Sequence, residues 1–214
     1  MRPHSPSWQA VFFDFDGVIV DSIPVKLRAF ATLFASYGTA IQEAVVRYHL
    51  DNGGMPRHEK IRHCFAAFAG QSLNGAELEQ AGLTFSSLVV DEVVAAPLAT
   101  GVRSALERLK LASIPAFVVS GTPGDEMRLI VARKGLTPYF AEVHGSPRDK
   151  PAILADILAR HGFSPNRCLF IGDAMADCNA AAANGLRFLG IVPEGNHSIF
   201  PANVPTSPSI ILDW

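Results

Sequence analysis

Little cysteine, no long run of one charge and no long apolar run mark this sequence. Cys64, Cys168 and Cys178 are an odd number without metal-ligand spacing, which argues against a disulfide scaffold and suits a reducing cytosol. The 18 basic and 20 acidic residues nearly balance, so neither nucleic acid nor an anionic membrane is expected as a partner. No apolar stretch approaches the roughly 18 residues of a membrane span, and Met1-Arg2-Pro3-His4-Ser5-Pro6 lacks the apolar segment of a signal peptide. Internal repeats and low-complexity segments are absent as well. The expectation is a cytoplasmic protein whose 214 residues make one domain, or one domain with an inserted module.

What is there centres on Val11-Phe12-Phe13-Asp14-Phe15-Asp16-Gly17-Val18-Ile19-Val20-Asp21-Ser22. It opens as a continuous apolar run, the pattern of a strand buried on both faces of a parallel sheet, and then places two carboxylates where the strand should end. Ligands bind at that end of open α/β sheets. Side-chain alternation puts Asp14 and Asp16 on one side, and Gly17 lets the chain turn away. Two such charges repel unless a cation or a proton is shared between them; read alone, they are also compatible with solvated acids at a strand end.

After Ser22 the period changes. Pro24 suits a helix's first turn, and Phe30, Leu33, Phe34 and Tyr37 recur at helical spacing until Gly38. Helices are expected from Gln42 to Leu50, from Pro56 with Ile61, Phe65 and Phe68 on one face, and from Ala76 to Val94. Residues 23–96 thus read as an all-helical module, flanked by a core of residues 1–22 and 97–214. From Gly101 helices alternate with short apolar strands: helix Val102 to Leu111, strand Ala116 to Ser120, a helix opened by Pro123, a strand near Ala141 to His144, helix Pro151 to His161, strand Cys168 to Gly172, a helix through Ala183 and strand Arg187 to Val192. That alternation predicts right-handed βαβ crossovers: an α/β fold with a Rossmann-like parallel sheet between helices. Pro201 to Pro208 reads as extended, with Ile210-Ile211-Leu212 as an edge strand.

Three further strand ends carry polar groups. Ser120-Gly121-Thr122 precedes a helix, so a hydroxyl and backbone N–H groups can seat a phosphate; a small-residue turn with a helix cap fits equally. Lys150 opens a helix, where the dipole disfavours a cation, so either an anion lies nearby or the lysine is solvated. Asp173 and Asp177 straddle a helix start, placed to reach a hard cation or to cap the helix.

Together these residues resemble, in order and spacing, the haloacid dehalogenase-like superfamily of aspartate-nucleophile phosphatases. Asp14-Phe15-Asp16-Gly17-Val18 with Asp21-Ser22 is similar to its first motif, Ser120-Gly121-Thr122 to the second, Lys150-Pro151 to the third, and Gly172-Asp173 with Asp177 to the fourth. The helical module directly after the first motif resembles the cap of the phosphoglycolate phosphatase and β-phosphoglucomutase-like branch. Gly54-Met55-Pro56-Arg57 resembles the segment where that branch carries a substrate-facing arginine, although Pro56 stands where a small hydroxyl residue is common.

The resemblance implies Mg²⁺-dependent hydrolysis of a small phosphorylated metabolite, by a monomer or weak homodimer. Asp14 would be the nucleophile and Asp16 the acid and base, its pKa raised by burial. Asp14, the Asp16 backbone carbonyl, Asp173 and Asp177 would hold the metal. Ser120, Gly121, Thr122 and Lys150 would bind the phosphoryl group, and Arg57, with His58 and Lys60 near it, would read the substrate unless these three form a solvated helix face. Asp16 argues against a hydrolytic dehalogenase and a phosphonatase. A phosphomutase, or a non-catalytic binding protein that keeps the fold, stays open, although a binding protein would not need both Asp16 and Asp173.

Overall fold

A computed structural model of the chain describes residues 8–211. The expectation drawn from Met1 to Pro6 lies outside those residues, as does Leu212. Six parallel strands form one sheet in the order β3-β2-β1-β4-β5-β6: β1 (Ala10–Phe13), β2 (Ala116–Pro123), β3 (Glu142–Ser146), β4 (Cys168–Gly172), β5 (Arg187–Ile191) and β6 (Thr206–Ser207). Strand order reverses at β1, whose neighbours β2 and β4 both come much later in the chain. That reversal opens a crevice at the carboxyl ends of β1 and β4.

The apolar run of β1 behaves as its composition requires, with all four residues fully buried. Val11 and Phe13 face one layer, together with Val118 and Ile171; Ala10 and Phe12 face the other, with Phe117, Val119 and Phe170. The second face is covered by α7 (Lys150–His161) through Ile153, Leu154, Ile157 and Leu158, and by α8 (Met175–Ala183) through Ala180 and Ala181. The first is covered by α5 (Val102–Leu111) and α6 (Gly124–Arg133). Each large side chain so buried contributes about 1.5–3 kcal/mol.

Between β1 and α5 the described chain is helical: α1 (Ile23–Leu33), α2 (Thr39–Asp51), α3 (Arg57–Phe68) and α4 (Gly75–Ala95). The 21-residue α4 starts at a capping box in which Asn74 Oδ1 accepts from the N–H groups of Ala76 and Glu77 while Glu77 Oε2 accepts from that of Asn74. Phe30, Phe34, Phe65 and Phe85 interlock among these helices and join the apolar layer above the sheet. Lys134 at the end of α6 donates to the carbonyls of Val93, Val94 and Ala96, fixing where α4 returns to the sheet.

Two strand expectations need correction. Ile210 and Ile211 do not form the edge strand, which is Thr206–Ser207; Ile210 N–H bonds instead to the Thr100 carbonyl beside Gly101. Strand β2 does not stop at Ser120 but runs to Pro123, with a register shift against β3 between Val119 and Pro123. Its last residues therefore sit above the sheet end as an irregular strand rather than a free loop. The second helix also begins earlier than expected, at Thr39 directly after Gly38.

Candidate active site

The site is built where β1 stops. Asp14 N–H still bonds to the Ile171 carbonyl, extending the pairing with β4 by one residue and fixing the Asp14 side chain. The chain then turns through Phe15-Asp16-Gly17, closed by bonds from Ile19 and Val20 N–H to the Phe15 carbonyl. Gly17 has φ +81°, and a Cβ there would lie 2.2 Å from Asp173 Oδ2. Glycine is thus required twice, for the turn and for the approach of the β4-end carboxylate.

Asp14, Asp173 and Asp177 each bring one oxygen to a common spot, all within 4.8 Å of one another. Lys150, at the start of α7, reaches into the group and donates to Asp14 Oδ1 at 2.9 Å and to Asp177 Oδ1 at 2.5 Å. The anion expected beside this lysine is present twice over. Burial opposes its charge, but Asp14 and Asp177 together raise its pKa above the ordinary lysine value. Asp177 also accepts from the Ala174 N–H through Oδ2, so the capping reading of this residue holds alongside its place in the cluster. One ammonium against three carboxylates leaves an excess of negative charge. Burial, with Asp177 and Asp16 adding to it, pushes Asp14 up to about 7, and burial with Asp14 and Asp177 pushes Asp173 well up. Among the described residues no hydrogen-bond donor faces the Asp173 carboxylate.

Asp16 departs from expectation. Burial does oppose its charge, yet Lys26, Ser22 and Thr122 more than offset it and hold the carboxyl below the usual range. Ser22 Oγ donates to Oδ1 at 2.7 Å, while Thr122 Oγ1 at 3.1 Å and Lys26 Nζ donate to Oδ2. The expected upward shift is therefore corrected: three donors converge on this carboxylate, and Asp16 is ionised here.

Ser120 and Thr122 are buried at the β2 end, with Ser120 Oγ accepting from the Thr122 N–H at 3.1 Å. Gly121 lies under the α2–α3 connection, where a Cβ would come 2.9 Å from the Gly54 carbonyl oxygen. The helical insertion therefore touches the sheet end directly. Arg57 also lines the crevice, but it is not on a solvated face. Its guanidinium is buried and paired in a fork with Glu126 of α6, donates to Ser86 Oγ of α4 at 2.7 Å, and lies 4.8 Å above the Phe85 ring. Breaking such a buried pair from one side costs about 3–5 kcal/mol. Arg57→Ala is expected to lose that much in chemical denaturation, and Arg57→Ala with Glu126→Gln distinctly less. Equal losses would mean that the uncompensated Glu126 charge is not what makes the single substitution costly.

Two residues of the site, Lys26 and His49, carry no signal in the sequence that marks them out, because their partners lie on other elements. Lys26 donates to both Asp16 and Thr122, joining the β1 and β2 ends. His49 and Lys60 face each other across α2 and α3 at 2.9 Å. Together with Arg57, Lys26 and the carboxylates they line a crevice of about 680 Å³. His58 instead lies beside Glu79 and Gly82, away from the crevice. Helical spacing carried the missing signal for α3, because Arg57 and Lys60 continue the face of Ile61, Cys64 and Phe65.

Known proteins are similar to this chain in sequence and in fold. The phosphoglycolate phosphatase 1 of Pseudomonas aeruginosa is 27% identical over 212 residues, covering 95% of this chain and 75% of that protein. The phosphoglycolate phosphatase of Yersinia pestis is 27% identical over 196 residues, covering 88% and 83%. Among solved structures, CbbY from Rhodobacter sphaeroides in complex with phosphate superposes with a TM-score of 0.71 at 18% identity, covering 94% of each chain. A β-phosphoglucomutase from Clostridium difficile gives 0.71 at 21% identity over 86% of this chain and 85% of that one. No helix among the described residues is long and apolar enough to cross a membrane. The model of the haloacid dehalogenase-like hydrolases matches residues 8–185, from the strand before Asp14 to the end of the helix that carries Asp177, and the chain belongs to that family of hydrolases.

Proposed function

We propose that the protein is a Mg²⁺-dependent phosphatase that hydrolyses a small phosphomonoester through an aspartyl-phosphate, with residues 23–96 as a lid over the site. The observation that carries this reading is the convergence of Asp14, Asp16, Asp173, Asp177 and Lys150 where β1 and β4 end. The relatives named phosphoglycolate phosphatases support the same reaction and a small substrate.

Asp14, Asp173 and Asp177, with the Asp16 backbone carbonyl, would hold the metal. Their hard oxygen donors and excess negative charge fit Mg²⁺. When bound, Mg²⁺ neutralises charge on the transferring phosphoryl group. Lys150 occupies Asp14 Oδ1, so Oδ2 is the oxygen that attacks phosphorus. As the bond from phosphorus to the departing oxygen breaks, Asp16 delivers a proton to that oxygen. It then takes one from the water that attacks the aspartyl-phosphate, releasing phosphate and the Asp14 carboxylate. Asp16 must first gain that proton against Lys26, Ser22 and Thr122. A phosphate dianion placed beside it supplies the push, because a neighbouring negative charge favours the neutral carboxyl. Ser120 and backbone N–H groups at the β2 end balance the remaining phosphoryl oxygens.

Phosphate release from p-nitrophenyl phosphate, with and without Mg²⁺, tests the reading; no release under either condition sinks it. Magnesium at a hundredfold excess over its dissociation constant is expected to add ~2.7 kcal/mol to stability, a rise of roughly 5–10 °C in Tm for a chain of this size. In Asp173→Asn that rise should shrink and the Mg²⁺ needed for half-maximal activity should increase by roughly tenfold or more. An unchanged titration would move the ligand role away from Asp173.

A further inference from the structure

The cations around the crevice are not equivalent. Lys150 lies between Asp14 and Asp177, Lys26 on Asp16, and Arg57 on Glu126. Among the described residues Lys60 has no such partner. Its side chain is buried, with the residue only 3% exposed, yet among the described residues no carboxylate forms an ion pair with it. Among the described residues its one side-chain hydrogen-bond partner is His49 Nδ1 at 2.9 Å. An ammonium can only donate, so with Lys60 charged Nδ1 accepts and the imidazole carries its proton on Nε2. Burial and the charge of Lys60 accordingly hold His49 down at about 3. The Phe30 ring packs against both, 4.7 Å from the His49 ring and 5.9 Å from Lys60 Nζ. Burial, then the charge of Lys26, pushes Lys60 down to about 7. A buried ammonium with only an imidazole and a ring face for company lacks the counter-charge that buried cations ordinarily require.

Its position says where that counter-charge comes from. Lys60 and His49 line the crevice from α3 and α2 of the helical insertion, whereas Lys150 and Ser120 belong to the sheet end where the phosphoryl group reacts. We propose that Lys60, oriented by His49, seats a second anionic group, a carboxylate or a second phosphate, carried by the alcohol portion of the substrate. The assignment rests on the phosphatase reading for the placement of the reacting phosphoryl group and adds to it a substrate with acid groups at both ends. Binding energy from that remote group would help only substrates that possess it. His49 is a positioning residue here, because its ring holds the ammonium toward the crevice.

The test uses two ester pairs, each differing by one anionic group: 2-phosphoglycolate against ethyl phosphate, and glucose 1,6-bisphosphate against glucose 6-phosphate. Lys60→Met removes the charge and keeps the length, so the fold should persist, with a Tm no lower than that of wild type. The expected result is a fall in kcat/KM of roughly ten- to a hundredfold on the acid-bearing member of one pair, as the loss of a charge-assisted hydrogen bond implies. The other member of that pair should stay within twofold, and Lys60→Arg should recover most of the loss. The pair that responds identifies the anion as carboxylate or phosphate. An equal fall on both members would place Lys60 on the transferred phosphoryl group or in lid closure and overturn the proposal, and so would no fall on any substrate. If the wild-type protein releases phosphate from no ester at all, the phosphatase reading fails separately. Calorimetry with the same four compounds then decides the subsite. Weaker binding of an acid-bearing compound alone in Lys60→Met supports it, while equal affinities, or no binding, overturn it.

Discussion

Asp14→Asn is expected to reduce phosphate release by roughly 10⁴-fold or more, the scale on which removing an enzymatic nucleophile acts. The amide keeps the shape and can still accept from Lys150, so the loss is chemical rather than structural. Stability should move the other way. The Asp14 carboxyl is pushed up to about 7 by burial, from an ordinary value near 3.8. A carboxyl with a raised folded pKa binds more protons folded than unfolded between those values, so in metal-free buffer stability falls as pH rises from about 4 through 7. Asparagine carries no such dependence. Thermal melts in a chelator should show the variant gaining on wild type as pH rises across that window, with the difference levelling off above it. Residual activity within tenfold of wild type would remove Asp14 from the nucleophile role. A pH-independent gap in Tm would remove the carboxylate strain from the account.

How much of this was legible in the sequence follows the range of the forces involved. β1 could be read because a strand buried on both faces needs a continuous apolar run, and Asp14, Asp16 and Gly17 could be read because the run ends on them. Lys150 was recognisable as out of place at a helix start, and Asp177 turns out to be one of the two carboxylates that hold it. What stayed illegible is set by contacts between residues far apart in the chain. The downward shift of Asp16 depends on Thr122, 106 residues away, and on the angle at which α1 presents Lys26. The burial of Arg57 depends on Glu126, 69 residues on, whose only local feature is a place in the first turn of α6. The edge strand went to Thr206–Ser207 because Ile210 closes against Thr100 and Gly101 instead of the sheet, a choice that hydrophobicity alone points the wrong way. Lys60 was the intermediate case: its spacing on α3 put it on the buried face, but a lysine on such a face invites the reading that it snorkels to solvent.

Lys150→Met is expected to cost about 3–5 kcal/mol, because removing one member of a buried ion group leaves the others uncompensated. The ammonium is the cation that contacts Asp14 and Asp177, and Asp173 shares their oxygen cluster. With it gone, three carboxylates, two of them buried, face one another. In a chain of this size the loss corresponds to a Tm lower by roughly 6–20 °C in chelator. Magnesium should restore a larger share of stability to this variant than it adds to wild type, since a dication bound to the same oxygens replaces the missing charge. Activity should not follow. The methionine cannot bond to Asp14 Oδ1 or to a phosphoryl oxygen, and the loss of one such contact from a preorganised site lowers kcat by roughly 10²–10³-fold. Melting curves with chelator and with Mg²⁺, set beside turnover at saturating metal, separate the two roles. Recovery of both stability and turnover on adding Mg²⁺ would make Lys150 only a counter-charge for the carboxylates. Recovery of stability alone assigns it a part in holding the nucleophile and the transferred group, which is the result that its position between Asp14 and Asp177 requires.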